Sequence, residues 1–387
     1  MAAEDWIPIL AAFSASASTA FLIVLTRDHH ISLVLRRDDL RATQAAHSVP
    51  TPRIGGIALL AGLAAATLLG APHHAPWWQL LLLSVLPVAL AGLLEDLGLR
   101  LKPAWRLAAA VLSSLIVVAT LGTWLPRLDV PGLDLLMAWS PLAIAFTVFA
   151  VAGVCNAFNL IDGMNGLAGS TGVITALGLT ALAFHAGQPD ILHIALLAAA
   201  ATTGFLIFNF PQGRLFLGDA GAYTLGHLLA WIGILLLIRA ETLTPWAVLL
   251  VFYWPVADTL LAIWRRRRAG RRSDEPDRLH FHQLVMRALE ILVFGRGARH
   301  LANPLTTLLL IPMIAAPVLT GVLLWNQPLA AFTALAAFAA LFVATYLAGM
   351  ALAARRGPIQ AGIRKAAART LRPDPGIAPL PNLGDRA

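Results

Sequence analysis

Apolar runs of about 20 residues recur along most of this 387-residue chain. That length matches the hydrocarbon core of a bilayer, and hydrophobic residues (58%) far outnumber charged ones (12%). About eleven segments have this character: 7–25, 54–71, 77–94, 106–125, 139–158, 166–184, 190–210, 220–238, 243–264, 304–325 and 329–351. Because a chain in lipid must satisfy its own backbone hydrogen bonds, the sequence predicts an all-α integral membrane protein with about eleven transmembrane helices.

Lysine and arginine are concentrated in alternate connections between these runs, most densely over residues 265–300 and after residue 355. Positively charged loops remain in the cytoplasm, so we expect the N-terminus outside and the C-terminus cytoplasmic. The net charge of +8 is then a topology signal and an attraction for anionic membrane lipids. No soluble module is visible that would use this charge to bind nucleic acid.

The chain is predicted to contain one transmembrane domain over residues 1–352, in which residues 265–303 form a large cytoplasmic loop. Residues 353–387 are basic and then proline-rich, with too little apolar content to fold alone. We therefore predict a disordered cytoplasmic tail. The single cysteine, Cys155, excludes an internal disulfide.

Five carboxylates lie at or inside the predicted cytoplasmic ends of the helices: Glu95, Asp96, Asp162, Asp219 and Asp258. A charged side chain inside a membrane costs about 2.5–3.5 kcal/mol even on lenient scales. Several such residues at one face therefore indicate an ion or substrate site that faces the cytoplasm.

Two of these acids have simple structural alternatives. Asp219 opens an apolar helix between Gly218 and Gly221, so it is either an N-cap or a magnesium ligand whose glycines let a diphosphate approach the backbone. Asp258 follows Pro255 inside an apolar run, so it either contacts a neighbouring helix or takes a direct part in the chemistry.

Three short segments complete the candidate site. NAFNLIDGMNGLAGS spaces Asn159, Asp162 and Asn165 by three, which favours a ligand-contacting loop over a plain turn between helices. In TPRIGG, residues 51–56, the glycine pair serves either anion binding at a helix N-terminus or close helix packing. PDRLHFHQ, residues 276–283, carries arginine and histidine donors that suit an acidic nucleotide better than a zinc site.

The order of TPRIGG, LEDLGLRLKPAWRL, NAFNLIDGMNGLAGS, FLGDAGAYTLG, PVAD and PDRLHFHQL resembles the polyprenyl-phosphate N-acetylhexosamine-1-phosphate transferases, the WecA/MraY-like family. The likeness runs from about residue 41 to 290 and is closer to the WecA-like branch. It implies a multi-pass protein of the bacterial cytoplasmic membrane. The implied reaction is Mg²⁺-dependent, with Mn²⁺ as a substitute: polyprenyl phosphate attacks a UDP-activated amino sugar, and UMP leaves. Dimerisation is common in the family, so a homodimer is also expected.

The resemblance assigns roles to individual residues. Asp219 and Asp96 match metal-binding positions, and Asp96, with Glu95 and Asp162, matches the catalytic acids. The resemblance also implies that Asn159, His280 and His282 bind substrate, and the residues themselves add Thr51, Arg53, Asn165, Asp258 and Arg278 as candidate substrate-binding residues.

The sequence also departs from the family pattern. Glu95 replaces the first aspartate of the usual acidic pair, Asn165 stands where many members have aspartate, Ala45 lies where a basic residue is common, and Gln283 replaces a third histidine. These changes leave open a catalytically silent relative that acts as a scaffold. A secondary transporter is the other alternative, but its site would be expected near the midplane between paired repeats.

Overall fold

The structure is a computed structural model that describes residues 6–28, 51–70, 77–268, 270, 280–295 and 298–370, with side chains described to residue 352. These residues form fifteen α-helices and one π-helix, and they contain no β-strand. The α-helices are Trp6–Leu25 (α1), Gly56–Leu68 (α2), Trp77–Ser84 (α3), Leu86–Asp96 (α4), Pro103–Leu121 (α5), Leu133–Met137 (α6), Ser140–Ile161 (α7), Leu167–His185 (α8), Pro189–Asn209 (α9), Gly218–Arg239 (α10), Pro245–Val251 (α11), Tyr253–Arg268 (α12), Phe281–Leu289 (α13), Arg299–Leu323 (α14) and Pro328–Thr370 (α15). The π-helix is Glu290–Phe294.

Nine helical stretches within the described residues are long and apolar enough to cross a membrane. A tenth is formed if α11 and α12, which meet at an angle of 80°, count as one broken span. The remaining predicted segment appears as α2, which is apolar but only 13 residues long. The prediction of an all-α membrane protein is confirmed, whereas the orientation of its termini stays a prediction.

Helix α10 is the centre of the bundle. Its residues are buried continuously from Gly218 to Leu237, and α2, α4, α7, α8 and α9 pack around it. A helix that is apolar on all sides can be covered completely by its neighbours in a bundle. The N-terminus of α10 therefore lies where several helix ends meet.

Glycines allow α2 and α4 to approach the first turn of α10. A side-chain carbon at position 92, in α4, would collide with the backbone of Asp219 and Ala220. A side-chain carbon at Gly56, in α2, would collide in the same way with the backbone of Gly221. The glycine pair of TPRIGG thus serves close helix packing, one of its two predicted roles.

The bend between α11 and α12 has a local cause. Pro255 lacks an N–H, so it cannot donate to the carbonyl oxygen of Val251, four residues earlier. The Thr175 hydroxyl in α8 donates to that oxygen instead, at 3.4 Å. The chain consequently turns at Phe252, and α12 carries Asp258 toward the same end of the bundle as the start of α10.

The structure divides the chain into two units, residues 1–339 and residues 340–387. Helix α15 continues through residues 353–370, and the disorder predicted for residues 353–387 stays a prediction. This stretch is rich in alanine, arginine and lysine, which are strong helix formers. Residues 371–387 lie outside the described residues. The loop predicted over 265–303 is helical at both ends, in α12 and in α13 with α14.

Candidate active site

The candidate site lies at the N-terminus of α10, where Gly218 has a positive φ of 74°. A side chain at this position would also overlap the carbonyl oxygen of Arg53, so only glycine fits. The backbone of residues 51–56 runs beside the residues that enter α10, with Gly55 N donating to Phe216 O at 2.8 Å. This pairing brings Arg53 to the start of the helix.

Asp96, the last residue of α4, caps α10 from outside. Its Oδ1 accepts from Asp219 N and its Oδ2 from Ala220 N, both at 2.9 Å, and its side chain is buried. The first N–H groups of a helix have no partner within the helix and carry a partial positive charge. A carboxylate from another helix satisfies two of them here.

Asp162, directly after α7, caps the same helix with one carboxylate oxygen. Its Oδ2 accepts from Gly218 N at 2.9 Å. Enclosure by the protein raises the pKa of Asp162 to about 7, against the lowering effects of the Arg53 guanidinium and the Gly218 N–H. The side chain is half-buried and retains some contact with solvent.

Asp219 differs from the other two acids because its described partners are side chains. Its Oδ1 accepts from Asn159 Nδ2 at 2.9 Å and from Arg53 Nη2 at 3.4 Å. Its Oδ2 forms an ion pair with Arg106, although the carboxylate is almost fully buried. Three predicted acids from different helices, together with Arg53 and Asn159, therefore meet at one helix N-terminus.

These contacts correct two expectations about the start of α10. The side chain of Asp219 is not an N-cap, since Asp96 and Asp162 supply the caps. The glycines also do not expose the backbone to a diphosphate, because the N–H groups of Gly218, Asp219 and Ala220 already bind carboxylates. Anions at this site would instead meet the side chains around Asp219.

Arg106 is a residue that the sequence analysis missed, because it served there only as a topology signal. It lies in the first turn of α5, where a positive side chain opposes the partial positive charge of the helix N-terminus. A basic residue in this unfavourable position could have indicated an acidic partner elsewhere in the chain. The partner is Asp219, which lies 113 residues away in the sequence.

The donor chemistry of the site suits Mg²⁺, although the described residues contain no group of three histidine, cysteine or acidic side chains that could hold a metal. Mg²⁺ commonly takes one or two carboxylates and completes its shell with water and phosphate oxygens. Asp219 fits this requirement best, because its carboxylate is not used to hold a backbone. A metal there would replace at least one of its present side-chain donors.

Asn165 is buried and anchors the loop after α7. Its Nδ2 donates to Pro211 O at 2.8 Å, and its N–H donates to Asn303 Oδ1 at 2.9 Å. Its carbonyl oxygen accepts from the Thr307 hydroxyl at 2.7 Å. Helix α14 thus fixes the loop that carries Asp162, a role for Asn303 and Thr307 that no local sequence pattern indicated. Substrate binding by Asn165 stays a prediction.

The histidine motif, His280 to His282, contacts Asp258 of α12. His280 Nδ1 lies 3.1 Å from Asp258 Oδ2, and Phe281 N donates to Asp258 Oδ1 at 2.9 Å. The structure therefore brings Asp258, His280 and His282 together, and their role in substrate binding stays a prediction. Arg278 and Ala45 lie outside the described residues.

Glu95 and Thr51 lie beside these clusters. Glu95 Oε2 accepts from Leu101 N at 2.6 Å and so stabilises the turn between α4 and α5. Thr51 precedes Pro52, whose carbonyl oxygen accepts from Phe216 N at 2.9 Å. Their predicted catalytic and substrate-binding roles stay predictions.

Comparison with known proteins places the chain in a family. Residues 78–237 match the model of glycosyl transferase family 4. The phospho-N-acetylmuramoyl-pentapeptide-transferase of Moorella thermoacetica is 31% identical over 247 residues, which cover 60% of this chain and 75% of the relative. This chain belongs to glycosyl transferase family 4.

Other members of the family align over most of their length. A probable undecaprenyl-phosphate N-acetylglucosaminyl 1-phosphate transferase of Bacillus subtilis (strain 168) is 28% identical over 326 residues, or 83% of this chain and 88% of the relative. The undecaprenyl-phosphate alpha-N-acetylglucosaminyl 1-phosphate transferase of Yersinia pestis is 27% identical over 282 residues, or 70% and 74%. The resemblance drawn from the sequence motifs is thereby confirmed.

Proposed function

We propose that this protein transfers a sugar 1-phosphate, an N-acetylhexosamine 1-phosphate, from a UDP-sugar to polyprenyl phosphate. A phosphate oxygen of the lipid attacks the sugar-linked phosphorus, a lipid-linked diphosphate sugar forms, and UMP leaves. The family relatives are named for transfer onto undecaprenyl or decaprenyl phosphate. Such a product would start a lipid-linked cell-surface glycan.

The meeting of Asp96, Asp162 and Asp219 around one helix N-terminus carries this proposal. Phosphoryl transfer depends mainly on positioning and on neutralising charge. Arg53 and Arg106, which now pair with Asp219, supply positive charge beside the acids. Asn159 holds the Asp219 carboxylate in place from α7. The site thus combines fixed acids with cations able to contact phosphate oxygens.

The proposal includes Mg²⁺ as cofactor, with Mn²⁺ as a substitute, held by Asp219 with Asp96 close by. When bound, the ion would neutralise phosphate charge. In this arrangement Asp96 and Asp162 hold the start of α10 rigid, and Arg53 and Arg106 are released toward the substrate as Asp219 exchanges partners. We further propose that the site faces the cytoplasm, where the UDP-sugar is available.

The test uses purified full-length protein with Mg²⁺, polyprenyl phosphate and a panel of UDP-sugars, with UMP release as the readout. We expect UMP release with at least one UDP-N-acetylhexosamine. Asp219→Asn should abolish release while the protein keeps its thermal unfolding temperature within a few degrees. Asp28→Asn removes the same charge at an exposed position and serves as the control.

Two results would contradict the proposal. Absence of UMP release from every sugar would indicate a catalytically silent family member. Uptake of a sugar nucleotide into sealed vesicles without UMP release would instead indicate a transporter.

A further inference from the structure

Asp258 lies at the centre of a buried cluster that joins α12 to the start of α13. It is 1% exposed, and His280 and His282 are 2% and 0% exposed. Its Oδ2 lies 3.1 Å from His280 Nδ1 and 3.3 Å from His282 Nδ1. Its Oδ1 accepts from Phe281 N at 2.9 Å. One carboxylate therefore faces the Nδ1 edges of two imidazole rings and also binds the backbone between them.

The other edges of the two rings are unoccupied. His280 Nε2 and His282 Nε2 are buried, and neither has a hydrogen-bond partner among the described residues. The rings stack, with centroids 5.5 Å apart and an interplanar angle of 22°. His282 Nδ1 also lacks a hydrogen-bond partner, although Asp258 Oδ2 lies 3.3 Å away. Since buried polar atoms are almost always hydrogen-bonded in proteins, these adjacent exceptions indicate a place for a ligand.

This unoccupied edge borders the acid cluster. A side-chain carbon at position 163, next to Asp162, would lie 3.8 Å from His282 Nε2. Gln283 Oε1 is also buried and has no described hydrogen-bond partner. His282 Nε2 thus lies close to the loop that carries Asp162.

We infer that Asp258 is a positioning residue for nucleotide binding, which holds His280 Nδ1 and the backbone N–H of Phe281 so that the Nε2 atoms of His280 and His282 face a phosphate of the substrate. This inference rests on the proposed function. A carboxylate that accepts from Nδ1–H fixes the tautomer and the orientation of an imidazole. An imidazole that donates through both ring nitrogens is an imidazolium, so a ring that meets a phosphate oxygen through Nε2–H would carry a positive charge balanced by Asp258 and by the phosphate.

The test compares binding of UMP and of uridine by the full-length protein, measured by calorimetry. In Asp258→Asn we expect UMP affinity to fall by at least about tenfold, as is typical when the partner of a ligating histidine is removed, and uridine affinity to remain within about twofold. Thr259→Val, at the adjacent position of α12, is the control and should bind both ligands normally. Unchanged UMP affinity in Asp258→Asn would overturn the inference.

A second measurement separates positioning from a general loss of structure. His280→Ala should weaken UMP binding strongly in the native protein and only slightly in the Asp258→Asn background, because the histidine is already misplaced there. Full additivity of the two losses would contradict the inference. Histidine-selective ¹⁵N NMR should show an Nδ1–H on His280 in the native protein and its loss in Asp258→Asn.

Folding and the proposed function can be checked independently. If Asp258→Asn does not fold, Asp258→Glu retains the charge but displaces the carboxylate, and it should show the same selective loss of UMP binding. Failure of the native protein to release UMP from any UDP-sugar would refute the proposed function. Normal catalysis together with unimpaired UMP binding by both Asp258 variants would refute only the role of Asp258.

Discussion

The close approach of α4 to α10 at Gly92 makes a quantitative prediction possible. In Gly92→Ala the new methyl group would lie within 2.6 Å of the Asp219 carbonyl carbon and even closer to the Ala220 backbone. Ordinary contact requires about 3.4 Å or more, so the two helices must separate by roughly 1 Å. The two hydrogen bonds from the α10 backbone to Asp96, now 2.9 Å long, would then be lost.

The expected cost follows from these contacts. Each hydrogen bond to a charged group contributes about 1.5–3 kcal/mol, and overpacking adds about 1–3 kcal/mol. Alanine recovers at most about 1 kcal/mol of helix propensity relative to glycine. The net loss in the free energy of unfolding should therefore be at least about 3 kcal/mol. A displacement of about 1 Å at Asp219 should also lower turnover by about 100-fold.

The matched control is Gly153→Ala in α7, where a side-chain carbon would have nothing within 4 Å. Both variants would be compared with the native protein by thermal unfolding in detergent and by UMP release. We expect the unfolding temperature of Gly92→Ala to be several degrees below that of the native protein, and that of Gly153→Ala to be equal to it or higher. If the two variants have the same unfolding temperature and activity, α4 and α10 do not approach each other as the structure has them.

Three further predictions concern other contacts. Arg106→Gln removes one of the two ion-pair partners of the buried Asp219 and should cost about 1.5–3 kcal/mol of stability and most of the transferase activity, because a hydrogen bond to a charged group is lost while Arg53 remains. The exposed Arg214→Gln should behave as native, and equal unfolding temperatures of the two variants would argue against the pair. Arg127→Ala removes the donors to three carbonyl oxygens at the end of α10 opposite the candidate site, so it should lower the unfolding temperature. The KM of the folded protein should be unchanged, and a raised KM would show that Arg127 affects the site as well as stability. Asn303→Ala should lower the free energy of unfolding by about 1 kcal/mol and raise the KM for the UDP-sugar, because the loop after α7 loses the hydrogen bond from Asn165 N to Asn303 Oδ1. An unaltered KM would indicate that this loop does not contact the nucleotide.

Most of the helices could be predicted from the sequence because each apolar run is long enough to span a membrane. The gathering of Asp96, Asp162 and Asp219 could also be anticipated, since all three lie at helix ends predicted to share one face. The separate roles of the three acids could not be predicted. Whether an acid binds backbone N–H groups or side chains depends on how α4 and α7 are positioned along α10, and no local sequence pattern indicates that position.

The missed residues share the same cause. Arg106, Asn303 and Thr307 act on partners more than 100 residues away in the sequence. The break between α11 and α12 was equally hidden, because residues 243–264 are long and apolar enough to be predicted as one span, and Pro255 indicates only a lost hydrogen bond.

Because Asp96 and Asp162 cap α10, substitutions of these two acids should be tolerated less well than substitutions of Asp219. Both acids are tied to the main chain of the central helix, so their loss weakens the scaffold together with whatever chemistry they perform. Asp219 has only side-chain partners among the described residues, and its neutral replacement spares the backbone. Family members that have kept the architecture but abandoned transfer should therefore have lost the acid at the Asp219 position first.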